Sequence, residues 1–423
     1  MKFKIWNKVN VSLILAFTAL NSGCQLTAET SKDIEEEPAI GTYTQTTNIP
    51  EGILTPSKVD TSIGELNFFD GTPTAETVQL VYDNLDRSRG VEAFLKGIPG
   101  ASVRGLMEGP KEVGANVKFN DILIMDNLLD SKGIFLTGNT STLYVIPTLD
   151  LKANGPMVVE APPGLLGGFN SAWFEYIGDI GVFGPDKGKG GKFLVLPPGY
   201  EGEVPSGYYV VKSPSYKVWN FMRLSIADGL EKAVNLAKEK VKVYPLSMAH
   251  NIPEMNFVST SGKAFNTVHH NDFSFYEEIN EIIQEEPLEL LNPETRGLFA
   301  SIGIEKGKPF APDARMKKIL TDAVAIGNAT ARSIVWYPRV GGSVDNMKEI
   351  QIYPDTNSSW VMAFLDKNVF FNGKDGHTTN SDARVFFHYS YTVVTPAMAV
   401  SFPGKGSDYA MSFVDSNKKA MDG

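Results

Sequence analysis

The stretch GVFGPDKGKGGKFLVLPPGYEGEVPSGY, which runs from Gly181 to Tyr208, decides between a nucleotide-binding fold and a strand-rich fold. A P-loop needs the pattern Gly-x-x-x-x-Gly-Lys-Ser/Thr between a strand and a helix, so that backbone N–H groups converge on phosphate. No Gly-Lys pair in this stretch has a glycine five residues before it, and none is followed by Ser or Thr. A dinucleotide fingerprint opens a helix, whereas these glycines lead into the strand-like segment KFLVL. Gly188, Gly190 and Gly191 therefore predict tight turns between strands, because glycine adopts the positive φ angles that such turns require.

Short β-rich segments separated by turn residues surround this stretch, between about residues 117 and 223. The strand candidates are DILIMDNLL, TLYVIPTLDL, PMVVEAPP, KFLVLPPG and GYYVVKSP. A first helix is predicted from Thr74, a suitable N-cap, to Gly90 as the stop. Further helices are predicted over ADGLEKAVNLAKEKV and in a segment from about 272 to 337. Later segments, WVMAFL, KNVFF, ARVFFHYSYTVV and YAMSFV, predict strands again. This order predicts an α+β, strand-rich protein with antiparallel β-sandwich or open-barrel domains and a helical segment between them.

The length and charge of the chain limit its organisation and its partners. A chain of 423 residues is too long to fold around one hydrophobic core, so we expect two or three domains. We place a β-rich domain with leading helices at 51–245, a helical segment at 246–345 and a C-terminal β-domain at 346–423. The net charge of −10 disfavours binding to nucleic acid.

The N-terminus has the pattern of an export signal in residues 1–24. Three lysines precede a mostly apolar run from Val9 to Leu20, and small residues follow up to Cys24, the only cysteine of the chain. This end resembles the lipobox of bacterial lipoproteins, although Asn21 stands where leucine is usual. We expect lipid on Cys24 to anchor the protein to a membrane of the bacterial cell envelope, with residues 25–50 as a polar tether. An ordinary cleaved signal is the alternative, since the residues before the cysteine are also small.

Histidines for catalysis or metal binding are few, since the chain contains five. The catalytic candidates are His269, in the segment VHHND, and the pair Asp382 and His388, in GKDGHTTNSDARVFFHY. On a strand, Asp382 and His388 would face the same side, which would suit acid–base chemistry or a divalent metal ion. The alternative is structural, with Asp382 and Arg384 forming an ion pair on one strand face. No specific cofactor is predicted.

An aromatic segment just before the glycine-rich stretch predicts a binding cleft. The segment SAWFEYIGDIGVFGPD offers aromatic side chains that line sugar or lipid sites and acidic side chains that orient a ligand. The binding candidates are Trp173, Tyr176 and Asp179, with Lys187, which could form a small anion-receiving patch with Lys189 and Lys192. The alternatives are a packed corner of the β-domain for the aromatic residues and solvated surface lysines for the patch.

Several long motifs carry a resemblance to a known family. They include NGPMVVEAPPGLLGGFNSAWFEYIGDIGVFGPDKGKGGKFLVLPPGYEGEVPSGYYVVKSPSYKVW, DFSFYEEINEIIQEEP, GLFASIGIEKGKPFAPDARMKKIL and DARVFFHYSYTVVTPAMA, in this order. Over about residues 80–423 the chain resembles the bacterial family that joins the domain of unknown function numbered 1254 to that numbered 1214. The resemblance implies a 1254-type domain at 51–245, a 1214-type domain at 346–423 and a cell-envelope protein, and it implies no reaction. The family pattern continues into further strands after the position of Gly423, so the C-terminal β-domain is expected to be truncated.

Three functions remain open from the sequence. The leading hypothesis is an exported, lipid-anchored cell-envelope protein that binds a small molecule or polymer in a cleft between β-domains. The second is a periplasmic hydrolase or lyase, with or without a metal ion. The third is a structural module of the envelope. The oligomeric state stays open.

Overall fold

The computed structural model describes residues 47–338 and, between 351 and 421, all residues except 354, 363, 365–368, 373–375, 392–394 and 400–409. The chain divides into two compact units, Met1–Pro56 and Ser57–Gly423. In the first unit the described residues contain a short 3-10 helix, Glu51–Ile53. The predicted export signal, its Cys24 and the tether up to residue 46 lie outside the described residues. Within the described part of the chain, no helix has both the length and the apolar character that crossing a membrane requires.

The unit Ser57–Gly423 has an α+β fold, which confirms the predicted fold class. Its described helices are α1 (Ala75–Glu108), α2 (Leu151–Asn154), α3 (Leu230–Lys240), α4 (Ser274–Glu285), α5 (Pro293–Ser301), α6 (Ala314–Trp336), α7 (Ser381–Ser390) and α8 (Pro396–Ala399). Its described strands are β1 (Lys58–Thr61), β2 (Gly64–Phe69), β3 (Thr72–Pro73), β4 (Asp121–Ile124), β5 (Gly133–Ile134), β6 (Thr142–Ile146), β7 (Thr148–Asp150), β8 (Met157–Ala161), β9 (Leu166–Ser171), β10 (Tyr176–Ile180), β11 (Gly191–Leu196), β12 (Tyr209–Lys212), β13 (Lys217–Ser225), β14 (Lys242–Pro245), β15 (Asn256–Ser259), β16 (Phe265–Asn266), β17 (Val361–Met362) and β18 (Ala410–Met411).

Two large sheets carry most of these strands. A seven-stranded sheet has the order β10-β9-β13-β6-β4-β15, with β7 also paired to β13, and a four-stranded sheet has the order β12-β11-β8-β14. Most neighbours are antiparallel, whereas β15 pairs with β4 and β12 pairs with β11 in parallel. The strand candidates between 117 and 223 are therefore confirmed. The domain boundaries at 245 and 345 stay predictions.

The seven-stranded sheet is buried on both faces, and this explains the continuous apolar runs of its strands. In β4, Ile122 and Ile124 join a hydrophobic core shared with Val159 of the four-stranded sheet. Leu123, between them, joins a different core, which contains residues of α1, α4, α6 and α7. Successive side chains of a strand point to opposite faces. The unit therefore has three layers: the four-stranded sheet, the seven-stranded sheet and a helical layer.

The glycine-rich stretch forms turns, as predicted, and leads from β10 into β11. Gly188 and Gly190 have φ angles of 77° and 70°, which glycine adopts without steric cost. Asp186 is 2% exposed, and its carboxylate accepts the N–H of Gly181 at 2.8 Å and the N–H of Gly190 at 3.0 Å. This buried carboxylate joins the two ends of the loop, so the loop has a fixed shape.

Helix α1 begins where the sequence predicts but continues past the predicted stop. The hydroxyl of Thr74 accepts the N–H of Thr77 at 3.3 Å, which confirms the N-cap. The prediction that Gly90 ends the helix is wrong, since the helix runs to Glu108. A Cβ placed on Gly90 would lie 2.6 Å from the Cβ of Ala323 in α6. This glycine therefore permits close packing of two helices and does not mark a helix end.

The C-terminal region contains a helix where the sequence predicts a strand. The candidate ARVFFHYSYTVV overlaps α7, and the side-chain oxygen of Asn380 caps this helix by accepting the N–H of Ala383 at 2.9 Å. The helix is buried on nearly every side, so its apolar residues do not show the period of an amphipathic helix. Strands are present in WVMAFL and YAMSFV as the paired β17 and β18, whereas Val369 and Phe370 of KNVFF lie in a turn.

Because this segment is a helix, Asp382, Arg384 and His388 do not point in the directions predicted for a strand. On a helix, residues six apart point about 120° away from each other. Accordingly, His388 is 4% exposed and Asp382 is half-buried. The prediction that Asp382 and His388 face one side of a strand is therefore wrong. The strand face predicted for Asp382 and Arg384 is wrong for the same reason, because residues two apart lie on opposite sides of a helix.

Candidate functional site

The aromatic segment includes the hairpin between β9 and β10 and places Trp173 and Asp179 in two different pockets, whereas Tyr176 lines neither of them. In the turn, the hydroxyl of Ser171 accepts the N–H of Trp173 at 3.2 Å and the N–H of Glu175 at 3.1 Å. Trp173 packs on the helical layer, where its ring lies 5.9 Å from the ring of Phe299. Asp179 lies in β10 and lines a different pocket. The structure therefore does not bring Trp173 and Asp179 into one cleft.

The first pocket has a cavity volume of about 20 Å³ and is called the Trp173 pocket here. The indole of Trp173 reaches α1 because Gly100 has no side chain, since a Cβ there would lie 2.7 Å from the ring. The other walls come from the end of α4, the 3-10 helix Leu288–Leu290 and α5. The apolar lining includes Trp173, Ile282, Ile283, Pro287, Leu290 and Leu291, and the charged lining consists of Glu286, Arg296 and Lys306.

Glu286 is the buried acid of this pocket and connects the helical layer to the seven-stranded sheet. It is 2% exposed, and its two oxygens accept the backbone N–H of Tyr216 at 2.6 Å and of Lys217 at 3.0 Å, at the start of β13. Burial raises the pKa of its carboxyl to about 7, and the two N–H groups act in the opposite direction. This carboxyl therefore changes charge near neutral pH, a property common at functional sites.

The two cations of the pocket differ in their partners. The Nζ of Lys306 donates to three main-chain carbonyls at the C-terminal end of α4, those of Ile283 (3.1 Å), Gln284 (2.8 Å) and Glu286 (2.5 Å). Burial lowers the pKa of Lys306. Arg296 is half-buried on α5, and its guanidinium makes no hydrogen bond or ion pair with any residue that the structure describes. Lys306 thus stabilises the fold, whereas Arg296 is available to bind a ligand.

The second pocket, with a cavity volume of about 20 Å³, lies on β9, β10 and β13, and we call it the Asp179 cleft. Asp179 is 4% exposed, and the hydroxyl of Thr395 donates to its carboxyl at 2.7 Å. Burial raises the pKa of Asp179 to about 6, and the nearby charge of Asp186 acts in the same direction. Burial also raises the pKa of Tyr176 to about 12. Phe183 and Phe221 contribute apolar surface to this cleft.

The lysines of the predicted anion patch lie on the outside of the glycine-rich loop. Lys187 and Lys189 are exposed, and Lys187 adopts a positive φ of 53°. Lys192 is in β11 and forms an ion pair with Glu160 at 3.3 Å. Water and salt screen exposed charges, so such lysines attract anions weakly. Lys187 lines neither the Trp173 pocket nor the Asp179 cleft, and its binding role stays a prediction.

The predicted catalytic histidines are buried in the helical layer. The Nδ1 atoms of His269 and His388 lie 2.9 Å and 2.8 Å from the carbonyl oxygens of His270 and Arg384. Burial lowers the pKa of His269 to about 4 and that of His388 to about 3, so both rings are neutral near pH 7. Asp382 lines a separate open groove beside α1 and α6. In the described ranges, no group of three His, Cys, Asp or Glu side chains is suited to a metal ion. The catalytic role of these residues stays a prediction.

Three residues of the Trp173 pocket were not identified from the sequence. Glu286 belongs to the run QEEP, where acidic residues before a proline are typical of an ordinary helix end. Arg296 and Lys306 likewise belong to no sequence motif that indicates a binding site. The roles of Glu286 and Lys306 depend on contacts with β13 and α4, respectively, that only folding creates.

Comparisons with known proteins give a family model that matches part of the chain. Residues 119–245 match the family model described as "Protein of unknown function (DUF1254)", which confirms that part of the predicted resemblance. The 1214-type domain stays a prediction. A search of curated proteins gives no significant match. Among solved structures, the chain is similar to the VPA0106 protein from Vibrio parahaemolyticus, with 15% identity and a TM-score of 0.48 over 73% of this chain and 68% of that one.

Proposed function

We propose that this is a cell-envelope protein, exported and anchored by lipid on Cys24, which binds a small amphipathic molecule in the Trp173 pocket. The location is supported by the basic, apolar and small-residue pattern of residues 1–24. A role in binding nucleic acid is disfavoured by the net charge of −10.

One observation carries the binding proposal: an apolar pocket whose few polar groups are all charged. Ligand sites are mostly apolar concavities in which a small number of polar groups orient the bound molecule. Trp173 and the leucines and isoleucines of the pocket supply the apolar surface, and Glu286 and Arg296 supply the polar groups. The cavity volume of about 20 Å³ is room for about one water molecule and lies far below that of most ligand sites, so binding requires the side chains that line the pocket to move apart.

The walls of the pocket also support this choice of site. Trp173 lies within residues 119–245, whereas α4, α5 and Lys306 follow that segment. Binding sites are frequent where two such parts of a chain meet. The cleft expected between β-domains is thus replaced in this proposal by a pocket between a β-hairpin and helices.

A hydrolase or lyase is the second candidate, and the Asp179 cleft is the observation that favours it. A general acid or base works best when its pKa is close to the working pH. Asp179 is buried in a cleft, and its pKa is raised to about 6. A divalent metal ion in such an enzyme stays a prediction.

The binding proposal is tested with Leu288→Glu and its control Leu85→Glu. Both leucines are partly exposed, at 45% and 37%, so both substitutions are compatible with folding, and only Leu288 lines the pocket. Isothermal titration calorimetry of the full chain with octanoate, octan-1-ol and octylamine is expected to show saturable binding of at least one compound. Leu288→Glu should weaken that binding, and Leu85→Glu should not. Absence of binding by all three compounds, or equal effects of the two substitutions, contradicts the proposal.

A further inference from the structure

We infer that the ligand of the Trp173 pocket is a carboxylate with a short apolar body, and that Arg296 binds its carboxylate group. This inference rests on the proposed function and specifies the chemical class of its ligand.

The state of Arg296 is the first argument. Its side chain is half-buried at the pocket, and its guanidinium has no hydrogen-bond or ion-pair partner among the described residues. Partly buried cations in the same region are paired, as shown by Lys217, which lies 2.8 Å from Asp150 and 3.1 Å from Glu285. Withdrawing a charge from water without a partner costs free energy. An anionic ligand would remove that cost.

The geometry of the guanidinium selects a carboxylate among anions that also carry an apolar group. Its five N–H donors lie in one plane and match the two oxygens of a carboxylate with two parallel hydrogen bonds. The side chains of Ile282, Ile283 and Leu291 in the lining offer only apolar atoms. A free inorganic anion would leave this apolar surface uncovered, whereas an alkyl or aryl carboxylate covers it.

The other charged groups of the pocket, Glu286 and Lys306, do not pair with Arg296. The oxygens of Glu286 already accept the N–H groups of Tyr216 and Lys217, and Glu286 forms no ion pair with Arg296. The Nζ of Lys306 donates to three carbonyls at the C-terminal end of α4. A carboxylate ligand therefore meets Arg296 without displacing an existing ion pair.

The test compares octanoate with octan-1-ol, which has the same apolar chain and lacks the charge. The full chain is titrated with each compound as wild type, as Arg296→Gln and as Arg89→Gln. Arg89 is a matched control, since it is half-buried on α1, has no partner among the described residues and does not line the pocket. Every variant is prepared in the same way, so that any partition of the compounds into lipid is the same in all measurements.

We expect wild type to bind octanoate at least about tenfold more tightly than octan-1-ol, in keeping with a hydrogen-bonded charge pair. Arg296→Gln should abolish this preference, and Arg89→Gln should keep it. If octan-1-ol binds as tightly as octanoate and Leu288→Glu still weakens both, the carboxylate inference is overturned while the proposed function stands. If neither compound binds, the carboxylate inference is overturned, and the proposed function is overturned with it if octylamine does not bind either. A preference for octanoate that survives in Arg296→Gln excludes Arg296 as the binding residue.

Discussion

Replacing Glu286 with glutamine is expected to change how the stability of the protein depends on pH. The pKa of this carboxyl is raised by burial from 4.5 to about 7 in the folded protein. As the pH increases, the unfolded chain loses this proton near the lower value, and the folded protein keeps it up to the higher one. Between the two values the folded state binds more protons, so a rise in pH lowers the free energy of unfolding.

The size of the effect follows from the shift. At about 1.4 kcal/mol per pKa unit, the shift from 4.5 to about 7 corresponds to about 3 kcal/mol of stability lost as the pH rises through this interval. Glutamine does not ionise, so the variant lacks this contribution. Asp179, His269 and His388 also have shifted pKa values, but they titrate in both proteins and cancel in the comparison.

The assay is denaturant-induced unfolding at about pH 5 and about pH 8, for wild type, Glu286→Gln and Glu289→Gln. Glu289 is exposed three residues further along the chain and serves as the control. Wild type and Glu289→Gln should lose more stability than Glu286→Gln between the two pH values. The reasoning is refuted if Glu286→Gln and Glu289→Gln show the same dependence on pH.

Two further predictions concern packing and the second cleft. Gly90→Ala is expected to destabilise the protein by about 1–3 kcal/mol, because its Cβ would lie 2.6 Å from that of Ala323. Gly297→Ala in α5, where nothing lies within 4 Å of an added Cβ, should stabilise it by about 0.5–1 kcal/mol, and thermal unfolding that ranks the two variants the other way contradicts this packing. Thr395→Val removes a hydrogen bond that lowers the pKa of Asp179, so the pKa should rise above about 6, and an unchanged value in an NMR titration of the carboxyl would exclude that bond.

The strands and turns between 121 and 212 could be predicted from the sequence because local rules decide them. KFLVL is a short apolar segment bounded by glycine and proline, and it forms β11. The glycines before it have the positive φ angles that the turn prediction required. Such features depend on residues that are neighbours in the sequence.

Other elements could not be predicted because distant residues decide them. Gly90 looks like a helix stop, yet its small size is needed by Ala323, far along the chain in α6. The run around His388 is apolar in every direction because α7 is surrounded by protein, so no period distinguishes a helix from a buried strand. The acid–base pair predicted for Asp382 and His388 depended on that choice of element.

The Trp173 pocket also depends on contacts between residues that are distant in the sequence. These contacts connect the pocket directly to the seven-stranded sheet. Glu286 accepts the N–H of Lys217, the first residue of β13, and β13 pairs with β9, which leads into the hairpin that carries Trp173. One wall of the pocket is therefore held to the opposite wall through a buried carboxyl and a strand pair. A ligand that binds only the folded pocket adds to stability according to its concentration and affinity. Ligand binding and the charge of Glu286 should consequently act on the same unfolding equilibrium, so the affinity of a carboxylate and the pH dependence of stability can be measured together in one series of experiments.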